Sequence, residues 1–405
     1  MLVNHRLTAI LGIVTICAYG AWYYSFGVLL DPIRLDTGWR ESTLASAFSI
    51  GIVVTGLGSL FGGRLLDRVG HRTVFLLAGL LSGISLGVAS IAPNAAVFVV
   101  AAALGQGALG AFGFYHVTMA TVVRLNPQAP AKAIAVLTIW GALASAIYLP
   151  LTAVLVDDLG WRATVRVLAL SATVAFLAAA AFLPSTKTDQ PVDARGPQPS
   201  MREVVSTAIA PGAPRWFAAA VSCGGIAMST MLIYQVPTMT ALGLPAATAA
   251  TFAGVRGFAQ LGGRLPLTPM LARLGIDRAL VVAFIAVGSG GALLSIADDR
   301  PTALAFAVVA GFGIGAFSPL QGIKSQELFD ADSLGATMGF YGALMMLAGA
   351  LGPAVAGVVA DVTGERRWAS AIVVASAVGA ALSIRQVQRA TFEAGRAFEA
   401  NEVEH

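Results

Sequence analysis

Long apolar segments separated by short polar connections make up most of the chain. A transmembrane helix needs about 20 consecutive, mostly apolar residues, and the clusters of charge, proline and glycine divide the sequence into twelve such segments. These candidate spans lie at approximately residues 7–30, 42–66, 73–92, 95–123, 132–156, 163–183, 216–241, 246–271, 279–297, 302–326, 333–360 and 367–388. The pattern predicts an all-α polytopic membrane protein with twelve transmembrane helices.

A single long polar interruption, which contains six prolines, divides these segments six and six. The predicted units are an N-terminal six-helix bundle at 1–183, a cytoplasmic linker at 184–214, a C-terminal six-helix bundle at 215–388 and a cytoplasmic tail at 389–405. Short sequences recur in equivalent spans about 200 residues apart, such as GAF at 110–112 and again at 315–317. This repetition favours duplication of a six-helix unit, an arrangement in which transporters place a binding site between the two halves.

Composition supports a membrane protein and excludes several other classes. Hydrophobic residues make up 57% of the chain and charged residues 11%, against about 25% charged residues in a soluble domain. The net charge of +4 is spread over short connections, so it indicates membrane topology rather than nucleic-acid binding. Metal-ligand spacings, catalytic constellations and a phosphate-binding loop are absent from the sequence. We therefore expect no cofactor, no metal, no enzymatic activity and no nucleic-acid partner.

The distribution of Lys and Arg predicts the orientation in the membrane. If all twelve spans cross, 16 of these residues fall on the side of the two termini and the linker, and seven fall on the other side. Positively charged connections stay in the cytoplasm, which predicts that both termini and the linker are cytoplasmic.

Two arginines lie inside the eighth span rather than at its ends. Arg256 and Arg264 would lie about 12 Å apart along a helix and about 80° apart around it, with Gln260 midway. All 21 acidic residues fall at predicted span ends or in connections, so no deep carboxylate is available as a counter-charge. Arginine matches a carboxylate with two parallel hydrogen bonds, which predicts an anionic substrate as the partner. The alternative is that the arginines pair with buried carboxylates or extend to the membrane surface.

Other polar side chains in the spans are candidates for the same site. Tyr19 and Tyr23 share a face of the first span and could donate hydroxyl groups to a carboxylate. Similar candidates occur in the seventh, tenth and eleventh spans, namely Tyr234, Gln321 and Tyr341. His116 is the only histidine within a span, and because histidine titrates near physiological pH it is a candidate for proton coupling. For each of these residues, packing against neighbouring helices is the alternative.

Residues 63–72, GRLLDRVGHR, resemble the loop signature between the second and third helices of the major facilitator superfamily, and a degenerate copy with Ala272 in place of the aspartate follows the eighth span. The segments TGWRESTLASAFS, VVRLNPQAPAKAIAV and YLPLTAVLVDDLGWR are similar to bacterial members of its monocarboxylate and oxalate porter group. The resemblance implies the major facilitator fold, alternating access, a bacterial inner-membrane location and function as a monomer. It also implies a cytoplasmic gate formed by Asp67, Arg68, Arg72 and Arg273.

The resemblance further implies that Arg264, in LGGRLPL, contacts the substrate. The chain departs from the group in two spans, because the eleventh has no lysine and the first has neither a lysine nor an acidic residue. Arg256 is then the candidate for a second positive charge. The sequence predicts a symporter, antiporter or uniporter of a small mono- or dicarboxylate, with protons as a candidate coupling ion. An efflux pump for apolar or amphipathic compounds and a membrane sensor that does not transport are the alternatives.

Overall fold

The computed structural model of the protein describes residues 4–184, 200–329 and 331–403. The side chains of a few stretches within these ranges lie outside the description: 60–64, 66–68, 130–131, 135, 201, 331–336 and 394–403. All regular elements in the described ranges are helical. The part of the predicted linker at 185–199 lies outside the described residues.

The N-terminal half contains six α-helices and one short π-helix. They are α1 (His5–Ala18), the π-helix (Tyr19–Tyr24), α2 (Phe26–Thr37), α3 (Glu41–Ser90), α4 (Ala95–Gly113), α5 (Tyr115–Leu125) and α6 (Pro130–Phe182). The remaining helices are α7 (Met201–Ala208), α8 (Ala213–Ala241), α9 (Ala246–Arg264), α10 (Leu267–Leu294), α11 (Arg300–Leu328), α12 (Ala331–Gly349), α13 (Leu351–Thr363) and α14 (Arg367–Val403).

Three of the long helices are interrupted by a glycine with positive φ. Gly70 in α3, Gly160 in α6 and Gly275 in α10 have φ of 78°, 74° and 72°, a conformation that glycine adopts without the steric cost of a Cβ. The chain reverses at Gly160, because the hydroxyl groups of Tyr148 and Ser171 are only 2.8 Å apart. In a continuous helix, 23 residues would separate them by about 35 Å.

The same reversal occurs in α3, where α4 packs against both parts of the helix. Gly107 of α4 contacts Val54, and Gly105 contacts Leu86 beyond the break. Nine helical segments in the described ranges meet the length and hydropathy of a membrane span, and one of them, Lys132–Phe182, contains two helices. With that pair separated, and with α9 and the long part of α10 included, the twelve predicted transmembrane helices are present.

Hydrophobic packing fills each half of the molecule, and one further cluster crosses between them by joining Val28, Leu149 and Ala153 to buried residues of the C-terminal half. One cluster of buried side chains runs from Leu11 to Leu183 and takes in a few residues of α8, α13 and α14, while another runs from Ala208 to Val387 within the C-terminal half. Short α7 precedes the C-terminal half, and its first turn is closed by reciprocal hydrogen bonds between Ser200 and Glu203. Such a capping box satisfies two backbone donors that the helix itself leaves free.

Three irregular segments occur at membrane depth. The π-helix interrupts the first span, the extended residue Phe114 separates α4 from α5, and the turn at Leu265–Pro266 ends α9 directly after Arg264. Irregular backbone within a membrane is tolerated where it is buried in protein or lines a cavity. The π-helix and Phe114 line one cavity between the halves, and the third segment directly follows Arg264, which lines the same cavity.

Candidate functional site

A cavity of about 220 Å³ lies between the two halves. The N-terminal half contributes Tyr19, Tyr23, Tyr24, Phe114, Tyr115, Gly141, Ala142 and Ser145 to its wall. The C-terminal half contributes Met228, Leu232, Arg256, Gln260, Arg264, Ile314, Phe317, Ser318, Gln321, Met345 and Met346. Six of the eight predicted substrate-binding residues thus line the same cavity. The cations and amides come from the C-terminal half, whereas the tyrosines come from the N-terminal half.

Arg256 is the most buried cation of the cavity, with 3% of its surface exposed. Its Nε donates a hydrogen bond of 2.7 Å to Oε1 of Gln235 on α8. Its Nη2 is buried and has no hydrogen-bond partner among the described residues, and no carboxylate in the described ranges forms an ion pair with it. The guanidinium therefore has a neutral acceptor on one nitrogen and an unused donor on another.

Close contact between α9 and α11 explains how this charge is held in place. Gly311 packs against the backbone of Arg256, and four residues later Gly315 packs against the backbone of Gln260. Glycines at this spacing let two membrane helices approach closely. The polar edge of α9 is therefore fixed against a glycine surface on one side while its side chains extend toward the cavity.

Arg264 is the last residue of α9 and is half-buried. Its Nε is buried without a hydrogen-bond partner in the described part of the chain. The helix ends there because Pro266 has no N–H with which to continue the backbone hydrogen bonds. Gln260 lies between the two arginines, so the polar stripe that the sequence predicted on one edge of this helix borders the cavity.

The opposite wall is formed by aromatic rings. Tyr19 stacks on Phe114 with ring centroids 3.7 Å apart and planes 5° apart. Tyr23 meets Phe114 edge to face at 5.5 Å, and Tyr115 lies 5.4 Å from Tyr19. The phenol of Tyr24 lies within electrostatic range of both Arg256 and Arg264. This wall is a continuous aromatic surface that faces the two cations.

The π-helix explains why three tyrosines share this wall. In an α-helix, Tyr19 and Tyr24 would project about 140° apart, but the wider turn of a π-helix brings residues five apart closer to one face. Ser25 completes the turn by donating to the carbonyl of Gly20 at 2.7 Å, and its hydroxyl also lies 2.7 Å from that of Thr152. The sequence singled out Tyr19 and Tyr23 only, and it missed Tyr24 and Tyr115 because neither irregularity leaves a signal in hydropathy.

Tyr234 and Tyr341 do not line the cavity, which corrects the prediction that they bind substrate. Tyr341 is fully buried and donates a hydrogen bond of 2.9 Å to the carbonyl of Ala208, so it joins α12 to the end of α7. Tyr234 is also fully buried, beside Glu41 near the end of the bundle opposite the termini. Both side chains pack against neighbouring helices, which is the alternative to substrate binding given above for these residues.

His116 also lies off the cavity wall. Its ring is exposed, and Nε2 donates to the carbonyl oxygen of Ala111 at 2.9 Å. The break at Phe114 leaves carbonyl groups at the end of α4 without a helical donor, and the imidazole supplies one. The geometry gives His116 a structural partner, and its predicted part in proton coupling stays a prediction.

The predicted gate is only partly described. The side chains of Asp67 and Arg68 lie outside the described residues. Arg72 donates from Nε to the carbonyl of Ala180 at 2.8 Å, a contact within the N-terminal half and not across the halves. Arg273 is exposed on the short first part of α10. The role of these residues as a gate stays a prediction, and the described contact of Arg72 does not join the halves.

Charged residues do join the halves at the opposite end of the bundle, in what we name the distal network: Asp31, Glu41, Asp361 and Arg366. Arg366 donates to Asp31 Oδ2 at 2.7 Å, to Asp31 Oδ1, and to Glu41 Oε2 at 2.9 and 3.0 Å. Asp361 accepts from the backbone N–H groups of Glu41 and Ser42, each at 3.0 Å. Burial alone would lower the pKa of Arg366, but the hydrogen bonds and charges of Asp31 and Glu41 hold it above its ordinary value.

The distal network therefore closes this end of the molecule. Asp361, near the end of α13, caps the first turn of α3, where a carboxylate satisfies free N–H groups and interacts favourably with the helix dipole. Glycines extend the closure, because Gly27 packs against the backbone of Ile233 and Gly357 packs against Ala45. Both contacts join the N-terminal half to the C-terminal half.

Comparison with solved structures identifies the fold. The nucleoside transporter NupG superposes with a TM-score of 0.76 at 14% identity, covering 96% of this chain and 99% of that one. A D-xylose–proton symporter gives 0.71 at 14% identity, covering 95% and 97%. A POT family transporter in complex with a thioalcohol-conjugated peptide gives 0.73 at 13% identity, also covering 95% and 97%. At these identities the likeness shows the shared fold alone.

Comparison with curated sequences finds no relative that matches the chain. The model of the Major Facilitator Superfamily matches residues 11–353 and, in a second match, 215–392. These matches cover nearly all of the twelve helices and agree with the signature at residues 63–72, so the protein is a multi-pass membrane transporter and not an enzyme. The chain belongs to the Major Facilitator Superfamily, whose fold transports by alternating access.

Proposed function

We propose that the protein transports a small organic anion, a mono- or dicarboxylate, and that Arg256 and Arg264 hold its carboxylate. The observation that carries this proposal is the environment of Arg256. Its guanidinium is almost fully buried, donates a hydrogen bond to the neutral Gln235, and has another buried donor without a partner among the described residues. Arg264 adds a second buried donor on the same edge of α9.

The cost of burying charge supports an anionic partner. An ionised group in a medium of low dielectric loses several kcal/mol of hydration unless another charge or hydrogen bonds replace it. Among the described side chains, three charged residues are buried, namely Glu41, Arg256 and Lys324. Glu41 pairs with Arg366 and Lys324 pairs with Asp277 at 2.8 Å. A carboxylate bound to Arg256 would give it the counter-charge that the other two have.

The size of the cavity favours a small substrate over a broad drug-efflux pump. Pockets for drug-sized ligands usually measure about 300–1,000 Å³, whereas this cavity measures about 220 Å³. Its polar wall also contains two arginines, Gln260, Ser145 and Gln321. An efflux pump for large apolar compounds would need a wider cavity with a mostly apolar wall.

The position of the cavity supports transport by relative movement of the halves. The cations lie on the C-terminal half and the tyrosines on the N-terminal half, so a substrate between them contacts both.

Because the distal network closes one end, we infer that substrate reaches this conformation from the end that carries the termini. With 16 Lys and Arg residues at that end and seven at the other, we place the termini in the cytoplasm of a bacterial inner membrane. Both walls come from one chain, which supports function as a monomer.

The proposal is tested by measuring carboxylate binding to the purified protein and counterflow in proteoliposomes. Arg256→Ala and Arg264→Ala should each reduce binding and exchange of a responsive carboxylate by at least tenfold, because each removes a charge-assisted hydrogen bond. Arg278→Ala is the matched control, since this arginine is exposed and lies off the cavity wall. Counterflow that is unchanged in both cavity variants would show that these arginines do not hold the substrate.

A further inference from the structure

The two walls of the cavity differ in the kind of group that they offer a ligand. One wall presents Arg256 and Arg264, which recognise a carboxylate. The facing wall presents five aromatic rings, those of Tyr19, Tyr23, Tyr24, Phe114 and Tyr115. A substrate that contacts both walls must therefore have an anionic end and a body that packs against aromatic rings. We infer that the transported anion is an aromatic monocarboxylate, an inference that rests on the proposed function.

The rings are already arranged as an aromatic surface. Tyr19 and Phe114 are stacked nearly parallel, and Tyr23 and Tyr115 lie at angles of 73° and 51° to the rings beside them. Tyr23 is supported from behind by Phe48, with centroids 5.6 Å apart. Aromatic pairs prefer offset-stacked or edge-to-face geometry. A planar ring entering the cavity would find both kinds of neighbour without rearrangement of the wall.

The remaining apolar lining also suits a ring. Three methionines, Met228, Met345 and Met346, border the cavity on the C-terminal half. Thioether sulfur makes favourable contacts with aromatic rings, and methionine adapts to their edges. Aromatic rings on one side and thioethers on the other would hold the two faces of a planar body.

The volume fits one ring and one carboxylate. An engineered apolar cavity of about 150 Å³ is enough to bind benzene, and the present cavity measures about 220 Å³. The additional space accommodates a carboxylate between the ring and the arginines. A second ring would exceed the space available.

The distribution of charge argues against a dicarboxylate that extends across the cavity. Both cations of the described lining lie on the same edge of α9, and the facing wall contributes hydroxyl groups and rings but no cation. A second carboxylate at the aromatic wall would lack a counter-charge and would have to give up its hydration. A single carboxylate at α9 satisfies both arginines and leaves the aromatic wall to an apolar ring.

The inference is tested by calorimetric titration of the full-length purified protein with benzoate, cyclohexanecarboxylate and succinate. Benzoate and cyclohexanecarboxylate have the same charge and ring size, but only benzoate is planar and aromatic. We expect benzoate to bind on the order of fivefold more tightly than cyclohexanecarboxylate, since aromatic contacts add to the effect of buried area alone. Succinate should bind more weakly than both.

Variants of the aromatic wall separate ring recognition from general packing. Tyr19→Leu and Tyr115→Leu should each reduce benzoate affinity on the order of fivefold with little change for cyclohexanecarboxylate, and Tyr19→Phe should retain the preference because it keeps the ring. Phe258→Leu is the control, since this phenylalanine is on the same helix as Arg256 but is 53% exposed and lies off the wall.

The possible results distinguish this inference from the proposed function. Equal affinity for benzoate and cyclohexanecarboxylate would overturn the aromatic preference while carboxylate transport stands. Tightest binding of succinate would overturn it in favour of a dicarboxylate. Binding of none of the three acids, with the folded state confirmed by thermal unfolding, would count against the proposed function itself.

Discussion

Two arginines of this chain that are largely shielded from solvent, Arg256 and Arg366, are held in opposite ways. Arg366, in the distal network, donates to the carboxylates of Asp31 and Glu41 through all three of its guanidinium nitrogens. Arg256, at the centre of the molecule, donates to the amide oxygen of Gln235 and keeps a buried nitrogen without a partner among the described residues. A guanidinium surrounded by fixed carboxylates is part of the framework, whereas one supported only by an amide can accept an anion that arrives from outside.

The contrast follows from the cost of charge in a membrane. Ionisable side chains within transmembrane helices are expensive and usually face a protein interior or an aqueous cavity. The distal network meets this cost with residues of both halves, so it stabilises one conformation of the transporter. The hydrogen bond from Arg256 to Gln235 offsets only part of the cost of burying the two arginines on α9. An anionic ligand can therefore form favourable interactions with the donors that remain. Each prediction below alters one of these two environments and compares the result with the other.

Arg366→Ala should produce the largest effect. It leaves the buried carboxylate of Glu41 without a cation and leaves Asp31 only the half-buried Arg34 at 3.7 Å, and removing one member of a buried pair costs about 3–5 kcal/mol. We expect a clear decrease in the thermal unfolding temperature of the detergent-solubilised protein, recovered in part when Asp31→Asn and Glu41→Gln are added. The same variant should also open the distal end more readily, measured as increased reactivity of a cysteine introduced at Thr238.

Arg367→Ala provides the control for that measurement. Arg367 forms an exposed ion pair with Glu365, with side-chain exposures of 64% and 45%. Pairs of this kind contribute about 0–1 kcal/mol, so the unfolding temperature should barely change. Equal destabilisation by the two substitutions would show that the distal network is no more than a surface ion pair.

Arg256→Met should have the opposite effect, with a large loss of carboxylate affinity and a small loss of stability. It removes a buried charge that lacks a carboxylate and replaces it with an apolar side chain, so the folded protein should lose far less stability than in Arg366→Ala. Carboxylate affinity should decrease by about ten- to a hundredfold, since a hydrogen bond to a charged group is worth about 1.5–3 kcal/mol. Titration calorimetry and thermal unfolding on the same sample measure both quantities. A loss of stability as large as that of Arg366→Ala, with affinity retained, would reverse the assignment of the two arginines.

The fold could be predicted from sequence because lipid restricts the choices of the backbone. A membrane-spanning segment must satisfy its own N–H and C=O groups, so the apolar segments became helices, and the prediction of twelve is confirmed. The connections at Gly70, Gly160 and Gly275 fall between predicted spans. The eighth helix ends at Arg264 and not at the predicted residue 271, because the turn at Pro266 interrupts it within an apolar run.

The cavity residues that could be predicted most directly are the charged and polar ones in an otherwise apolar helix. Arg256, Gln260 and Arg264 lie on the cavity because a polar stripe in an apolar helix needs polar surroundings. Tyr24 and Tyr115 were missed because the π-helix and the break at Phe114 change which residues share a face. Tyr341 was misplaced because a tyrosine bonded to the carbonyl of Ala208 has the same sequence appearance as one in a cavity. The ion pairs of Arg366 could not be predicted from the sequence, since its partners are more than 300 positions away.

Asp361→Ala should produce a smaller effect in the distal network. Asp361 accepts hydrogen bonds from the N–H groups of Glu41 and Ser42 and thereby caps α3 from the other half of the molecule. Loss of an N-terminal cap costs about 1 kcal/mol, so the decrease in unfolding temperature should be a fraction of that in Arg366→Ala. Asp361→Asn should retain part of the stability because its amide oxygen can still accept. A null result for alanine would mean that water replaces the cap without loss.

Tyr234→Phe should produce the smallest effect, and it tests how sharply the two regions are separated. Tyr234 and Gln235 are consecutive on α8, yet Tyr234 lies beside Glu41 of the distal network and Gln235 holds Arg256. The hydroxyl of Tyr234 is buried beside Glu41, whose Oε1 is buried as well, so its removal takes away at most one weak contact with that carboxylate and should change stability by less than about 1 kcal/mol. Carboxylate affinity should also be unchanged, because the ring does not reach the cavity. If affinity instead decreases while stability is constant, the distal network and the binding site are coupled through this turn of α8. The hydrogen bond from Arg256 to Gln235 would then depend on the carboxylates that bind Arg366.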